Sequence, residues 1–349
     1  MCGIRSISLL LFLAATVPAS AAPPAYALEK RVAIGGPGGW DYLTIAADAR
    51  RLYIARSDRV QVLDLDKGVV TSEIRPANGV HGVALAANLK RGFVSNGRDN
   101  SVTVFDLGPL KTTQVVSIPA QNPDAILYVP EAGRVLTFNG RSKDITALDA
   151  STLAVVGHLT VGSKPEFAAG DGAGRAFVNL EDEKGAIAVI DVKTLSLTAT
   201  WPMAGCKEPT GLAIDRAHHR LFSTCDDGVM AVTDSSNGRA VARVAIGKGP
   251  DAAAFDADQG LVFVSNGEGT LTVVHEDDPD HYTVSATVAT EPSARTLALD
   301  TKTHKVWLVA AKFGPPPAAT ESEPHPRAPV LPDSFTALVV GPGSGPTTH

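Results

Sequence analysis

Seven positions spaced at intervals of about forty residues carry side chains that can do chemistry: Asp41, His81, Asp124, Glu166, Thr210, Asp251 and Arg295. Four carboxylates and one imidazole gathered around an axis supply the donors of a divalent-cation site. The same set suits a polar or cationic small molecule, with Arg295 fixing an anionic group. Trp40 and Tyr42 flank the first position and offer faces for a sugar or other ring. A plainer reading competes with these. Asp or Glu after Pro, in Pro123-Asp124, Pro165-Glu166 and Pro250-Asp251, suits a tight turn that bonds its own backbone. His81, Thr210 and Arg295 depart from that pattern where a purely structural turn would have kept Asp. The expected ligand positions are therefore these seven with Trp40 and Tyr42. If a metal is bound, Asp124, Glu166 and Asp251 are its expected ligands, and no cofactor beyond such a divalent cation is expected.

These residues act together only if the chain converges on one place, and a repeat implies that it does. An apolar segment ending in Asn followed by a second ending in Asp reads FVSNGRDNSVTVFD at Phe93–Asp106 and LTFNGRSKDITALD at Leu136–Asp149. Further copies lie at Phe177–Asp191, Leu221–Asp234 and Phe263–Val274, with a weaker one at Tyr53–Asp64. A period of this length means copies of one unit, each too small to bury a core alone. Within Pro209–Ile246 the runs PTGLAID, HRLFSTC, GVMAVTD and AVARVAI are separated by turn residues, so one unit is a four-stranded antiparallel meander. Asp227-Gly228, Asn96-Gly97, Asn139-Gly140 and Asn266-Gly267 suit turns that need positive φ. Seven first strands begin near Leu43, Gly82, Asp124, Glu166, Gly211, Ala252 and Thr296.

The two ends of the chain complement each other. The last unit lacks a fourth strand, and Leu28–Gly36 is an unassigned strand resembling other fourth strands. Docking it beside Phe335–Val340 completes the seventh unit and covers an exposed edge. The expected fold is all-β: a seven-bladed β-propeller of four-stranded antiparallel blades, its seventh blade closed by the N-terminal strand, in one domain over 28–341. In that geometry the seven chemical positions surround one mouth of the central channel. A Pro-rich insertion, KFGPPPAATESEPHPRAPVLPD at Lys312–Asp333, reaches the same face with seven prolines. Such composition favours polyproline segments, and the insertion can act as a lid bearing Glu321, Glu323, His325 and Arg327. Residues 342–349 read as a flexible tail.

Phe93-Val94-Ser95-Asn96 and Phe263-Val264-Ser265-Asn266 resemble the Tyr-Val-Thr-Asn tetrapeptide of the YVTN-repeat β-propeller family, and Gly249-Pro250-Asp251 is similar to its turn before the first strand. The resemblance covers nearly the whole chain after the leader and implies an exported seven-bladed propeller, but no uniform catalytic motif. Tyr53-Ile54-Ala55-Arg56, Phe222-Ser223-Thr224-Cys225 and Trp307-Leu308-Val309-Ala310 depart from the tetrapeptide.

Composition bounds the rest. Of 349 residues 44% are hydrophobic but only 5% aromatic, so the core must be Val, Leu, Ile and Ala in many short strands. Arg5, the apolar run Ile7–Val17 and Ala19-Ser20-Ala21 form an export signal over 1–21, cleaved after Ala21, and its apolar run is too short to span a bilayer. A periplasmic or secreted protein is expected, with no membrane span. The formal charge of −6 argues against nucleic acid as a partner. Cys206 and Cys225 remain after the leader, and an oxidising compartment favours their pairing. His218-His219, and the acidic turn holding His275, Asp277, Asp278, Asp280 and His281, read as solvated. Ser95 and Ser265 have no recognisable His and Asp partners, and the chain carries no GxSxG, HExxH, P-loop or CxxCH motif. The expected function is an exported binding module or scaffold, monomeric, presenting an acidic mouth to a small polar ligand or another exported protein. The alternative is a metal-dependent lactonase-type hydrolase, with Asp124, Glu166 and Asp251 on the metal and His81 as proton shuttle.

Overall fold

The computed structural model describes residues 24–320, 326 and 328–343. The export signal over 1–21, residues 344–349 of the tail, and Glu321, Glu323, His325 and Arg327 lie outside the described residues.

Second and third strands of each unit read as nearly unbroken apolar runs, such as RLFSTC and VMAVTD, because both of their faces are covered. Outermost strands such as Thr112–Ser117 alternate and stay largely exposed. The result is seven four-stranded antiparallel sheets. Their innermost strands are Trp40–Ala46, Val80–Ala86, Pro123–Val129, Lys164–Gly170, Pro209–Asp215, Pro250–Asp256 and the short Leu297–Asp300. Each lies beside the next, and the first lies against the last, which closes the ring.

The core is divided among the junctions between blades. Seven apolar clusters each join two adjacent blades; one packs Tyr53 and Ile74 of blade one against Val83, Val94 and Phe105 of blade two. The first residue of the tetrapeptide is the largest contributor: Phe93, Phe177, Phe222 and Phe263 are wholly buried. Each contributes about 2–3 kcal/mol by leaving water, and much of that depends on the neighbouring blade. A single unit therefore cannot keep its shape alone.

Closure uses both ends of the chain. Tyr26–Ala33 pairs antiparallel with Thr336–Pro342, Tyr26 facing Pro342 and Ala33 facing Thr336. The closing strand thus starts two residues before Leu28, and its partner runs through Pro342, the first residue of the expected tail. At that junction Val32, Leu43 and Leu52 meet Trp307, Val309 and Phe335.

One turn expectation needs correcting. Gly97, Gly140 and Gly267 do not have positive φ; in those hairpins it falls on Asn100 (48°), Lys143 (58°) and Gly269 (106°). Asn96, Asn139 and Asn266 are instead buried latches. The Asn96 side-chain amide donates to Ser101 and Thr103, that of Asn139 to Asp144 and Thr146, and that of Asn266 to Thr270 and Thr272. In blade five Cys225 takes the latch position and is bonded to Cys206, 19 residues earlier. Gly228 does have positive φ, 78°, as Asp227-Gly228 suggested.

Candidate ligand site at the channel mouth

The mouth is built on a repeated irregularity. In six blades the pairing of first and second strands slips at the same place: between Trp40 and Leu43, Val80 and Val83, Pro123 and Ile126, Pro165 and Ala168, Pro209 and Leu212, and Pro250 and Ala253. A bulge re-aims side chains that a regular strand would send to alternate faces. Asp41, His81, Asp124, Glu166, Thr210 and Asp251 all occupy these bulges.

In blades two, five and six the third tetrapeptide residue pins the bulge. Ser95 accepts the Gly82 N–H at 2.9 Å and donates to the carbonyl of Asp124 in the next blade. Ser265 does the same between Ala252 and the Arg295 carbonyl. Thr224 accepts the Gly211 N–H at 2.9 Å, and the Asn179 amide donates to the carbonyls of Thr210 and Gly211. These side chains hold ring residues in place, so Ser95 and Ser265 are committed to structure. Gly211 allows this close approach, since a Cβ there would lie 2.5 Å from the Asp251 carbonyl oxygen.

The ring residues form linked groups. His81 Nδ1 lies 2.6 Å from Asp41 Oδ2 and 3.4 Å from Asp124 Oδ1. Tyr42 donates to Glu166 at 3.3 Å, and Lys164 Nζ lies 2.9 Å from the other Glu166 oxygen while also pairing with Glu181. Arg295 Nε stands 3.7 Å from Asp251 Oδ2. Thr210 turns its hydroxyl to Thr224 and the Pro250 carbonyl, so it serves the scaffold. Tyr42 packs edge-on to Phe167, their ring centroids 5.0 Å apart. Both border a cavity of about 60 Å³ further down the channel. Trp40 lies to one side, between Phe335 and Phe313.

Electrostatics bind these groups into one site. Burial, then the fields of Asp41 and Glu181, raise the Asp124 carboxyl against the pull of His81 and Lys164. Burial and the Asp124 charge raise Glu166. Burial, with Asp41, Asp124 and Glu181, pushes Asp251 to about 7 although Arg295 opposes it. Desolvation works against a charged His81, but its bond to Asp41 and the fields of Asp124 and Glu166 overcome this and lift it to about 9. Lys164 is likewise raised by Glu166 and Glu181 despite desolvation. Five carboxylates thus face three cations, and the acids take up protons to relieve the excess.

Lys164, Glu181 and Phe167 escaped the sequence reading. Lys164 and Phe167 flank the Pro165-Glu166 pair, and Glu181 follows the latch position of its blade; only strand register places them at the mouth. The expected metal triad also divides: Glu166 is engaged by Lys164 and Tyr42, and Asp251 by Arg295, whereas Asp41, His81 and Asp124 hold donor atoms within 4.8 Å of one another. Two similar groups, Asp215–His218–Glu276 and Asp256–Asp258–His304, lie around the turns that follow the inner strands, Glu276 coming from the third strand of blade six. There His218 bonds Asp215 and His304 bonds Asp256. The acidic turn is exposed, with His275 paired to Asp277 and His281 to Asp278.

Beside the ring opens a cleft of about 810 Å³, bounded by Pro37–Trp40, Ser57, Ser293, Arg295, Phe313 and Ala328–Val330. The base of the Pro-rich insertion forms its outer wall. This base is a short two-stranded ladder, with Phe313 opposite Val330 and bonds from Gly314 to Pro329 and Leu331 to Lys312.

No family model matches the chain, and no curated protein matches it. Among solved structures it is similar to a chain of Kuenenia stuttgartiensis hydrazine synthase, at 14% identity and a TM-score of 0.70, over 79% of this chain and 93% of that one. At that identity the likeness concerns the β-propeller fold alone.

Proposed function

We propose that the protein is an exported binding propeller of the YVTN-repeat type whose mouth takes a small cationic molecule, an amine in the simplest case. One observation carries this reading: Asp124, Glu166 and Asp251 are crowded into a half-buried mouth with fewer cations than carboxylates. A ligand ammonium relieves the repulsion that protons otherwise relieve. The bulges and their cross-blade bonds hold the carboxylates in place beforehand, which lowers the ordering cost of binding. Binding then releases protons and strengthens from pH 5 to pH 8.

Calorimetry with phenethylamine at both pH values tests this. The expected outcome is tighter binding at pH 8, lost in the double variant Asp124→Asn/Glu166→Gln. Binding that is absent, or indifferent to pH and to that variant, overturns it.

A second reading rests on the Asp41–His81–Asp124 group, whose donors are spaced for a divalent ion. Such an ion would supply Lewis acidity toward a lactone carbonyl. His81 would have to bind it as a neutral ring, against the carboxylates that now favour its proton. Chelator-sensitive lactone hydrolysis is the observation that would place this reading first.

A further inference from the structure

The cleft beside the ring is not needed to bind an ammonium group, yet it is continuous with the ring. Trp40 lines it and directly precedes Asp41, and Arg295 belongs to both. Its volume of about 810 Å³ falls within the ~300–1,000 Å³ usual for small-molecule pockets. The walls are mainly apolar. Trp40 and Phe313 lie with centroids 5.9 Å apart, and Pro329 and Val330 continue the surface. Phe313 is 47% exposed, so this surface gains by being covered.

The polar groups narrow the choice of ligand. The Ser57 hydroxyl oxygen accepts the Gly39 N–H, and the Ser293 hydroxyl both donates to and accepts from the Ala311 backbone. Arg295 differs: its side chain is 57% exposed, and among the described residues it has one ion-pair partner, at 3.7 Å. An exposed guanidinium at the end of an aromatic cleft suits a carboxylate.

The cleft is also preorganised. The wholly buried Arg56 donates to the carbonyls of Gly36, Pro37, Gly38 and Gly39, and its guanidinium stacks 3.6 Å from the Phe335 ring centroid. It therefore fixes the loop that forms one wall.

We infer that this cleft binds the planar apolar body of a small aromatic acid, with its carboxylate on Arg295. The inference rests on the mouth being a small-molecule site. Combined with the ring, it makes the ligand amphoteric: aromatic body in the cleft, carboxylate on Arg295, ammonium among the ring carboxylates.

The test is calorimetry of the mature protein at pH 8 with three probes: tryptophan, tryptamine and indole-3-propionate. Tryptophan is expected to bind about tenfold tighter than either of the others, the value of one added charged contact. Arg295→Met should weaken tryptophan and indole-3-propionate about tenfold and should not weaken tryptamine, because losing the cation beside Asp251 leaves that carboxylate to an ammonium group. Trp40→Leu should weaken all three. If that variant fails to fold, Phe313→Ala serves in its place, since Phe313 is exposed. Tryptophan binding no tighter than tryptamine binding, and not weakened by Arg295→Met, overturns the cleft and leaves the cationic mouth standing. Arg295-dependent binding of indole-3-propionate with no binding of tryptamine supports the cleft and removes the cationic mouth. No binding by any probe overturns both.

Discussion

At the mouth, Asp124, Glu166 and Asp251 are buried beside one another and have raised proton affinity. On the opposite face, in the turns after the inner strands, Asp300 and Asp171 behave the other way. Asp300 is fully buried, but it accepts bonds from the Lys302 N–H, the Thr303 hydroxyl and Arg50, and these outweigh desolvation and lower its pKa. Asp171 is lowered by Arg175 and by two backbone N–H groups. Both faces use the same residue type on the same repeat. The difference is that Asp300 and Asp171 are given donors by their own loop, whereas the mouth acids are more deeply desolvated and face mainly each other. Turn acids stabilise the fold, and mouth acids cost stability while they stand empty of a cation.

Breaking each side of this contrast should give opposite signs. The largest effect is expected from Asp300→Ala, which strips Arg50 of its buried partner; urea unfolding should show a loss of about 2–3 kcal/mol, moderated because Arg50 keeps Asp66. The stability profile against pH should show both faces at once. Asp300 and Asp171, with lowered folded pKa values, contribute stability that is lost as pH falls below about 4. Asp251, raised to about 7, and His81, raised to about 9, contribute stability at low pH that is lost as pH rises through those values. The melting temperature should therefore peak near pH 4 and decline to pH 9; a flat profile over that range would remove the contrast. Asp251→Asn should flatten the decline and raise stability at pH 8 by about 1–2 kcal/mol, read as a higher melting temperature, while weakening amine binding. Ser95→Ala is the smallest test. It should cost about 1 kcal/mol through the lost cross-blade bond, and it should weaken ligand binding because Asp124 is less firmly held.

Blade number, strand order and ring closure were legible because a four-stranded unit repeats and the leftover strands at the two ends match. Cys206 and Cys225 were legible because few other thiols competed for pairing. The site was legible only as a set of aligned positions. The bulges that aim those residues inward leave no mark in composition, since a Pro-Asp pair fits both a turn and a bulged strand. Asn-Gly misled for a related reason: its turn preference is local, whereas Asn96 and Asn139 are claimed by hydroxyl and carboxylate groups on the paired strand. Lys164 and Glu181 join the mouth through register between strands, which no local pattern records. Phe313 lay in a stretch whose prolines obscured a ladder.

The pairing of Tyr26 with Pro342 has a mechanical consequence. Because the closing strands run antiparallel and both ends leave at the same corner, tension applied between them loads the hydrogen bonds one after another. The propeller should open like a zip at low force, beginning at Tyr26, instead of resisting as strands pulled in shear do. Residues inserted at either end will load that corner first, so a tether or fusion that holds the two ends together would guard the closing seam.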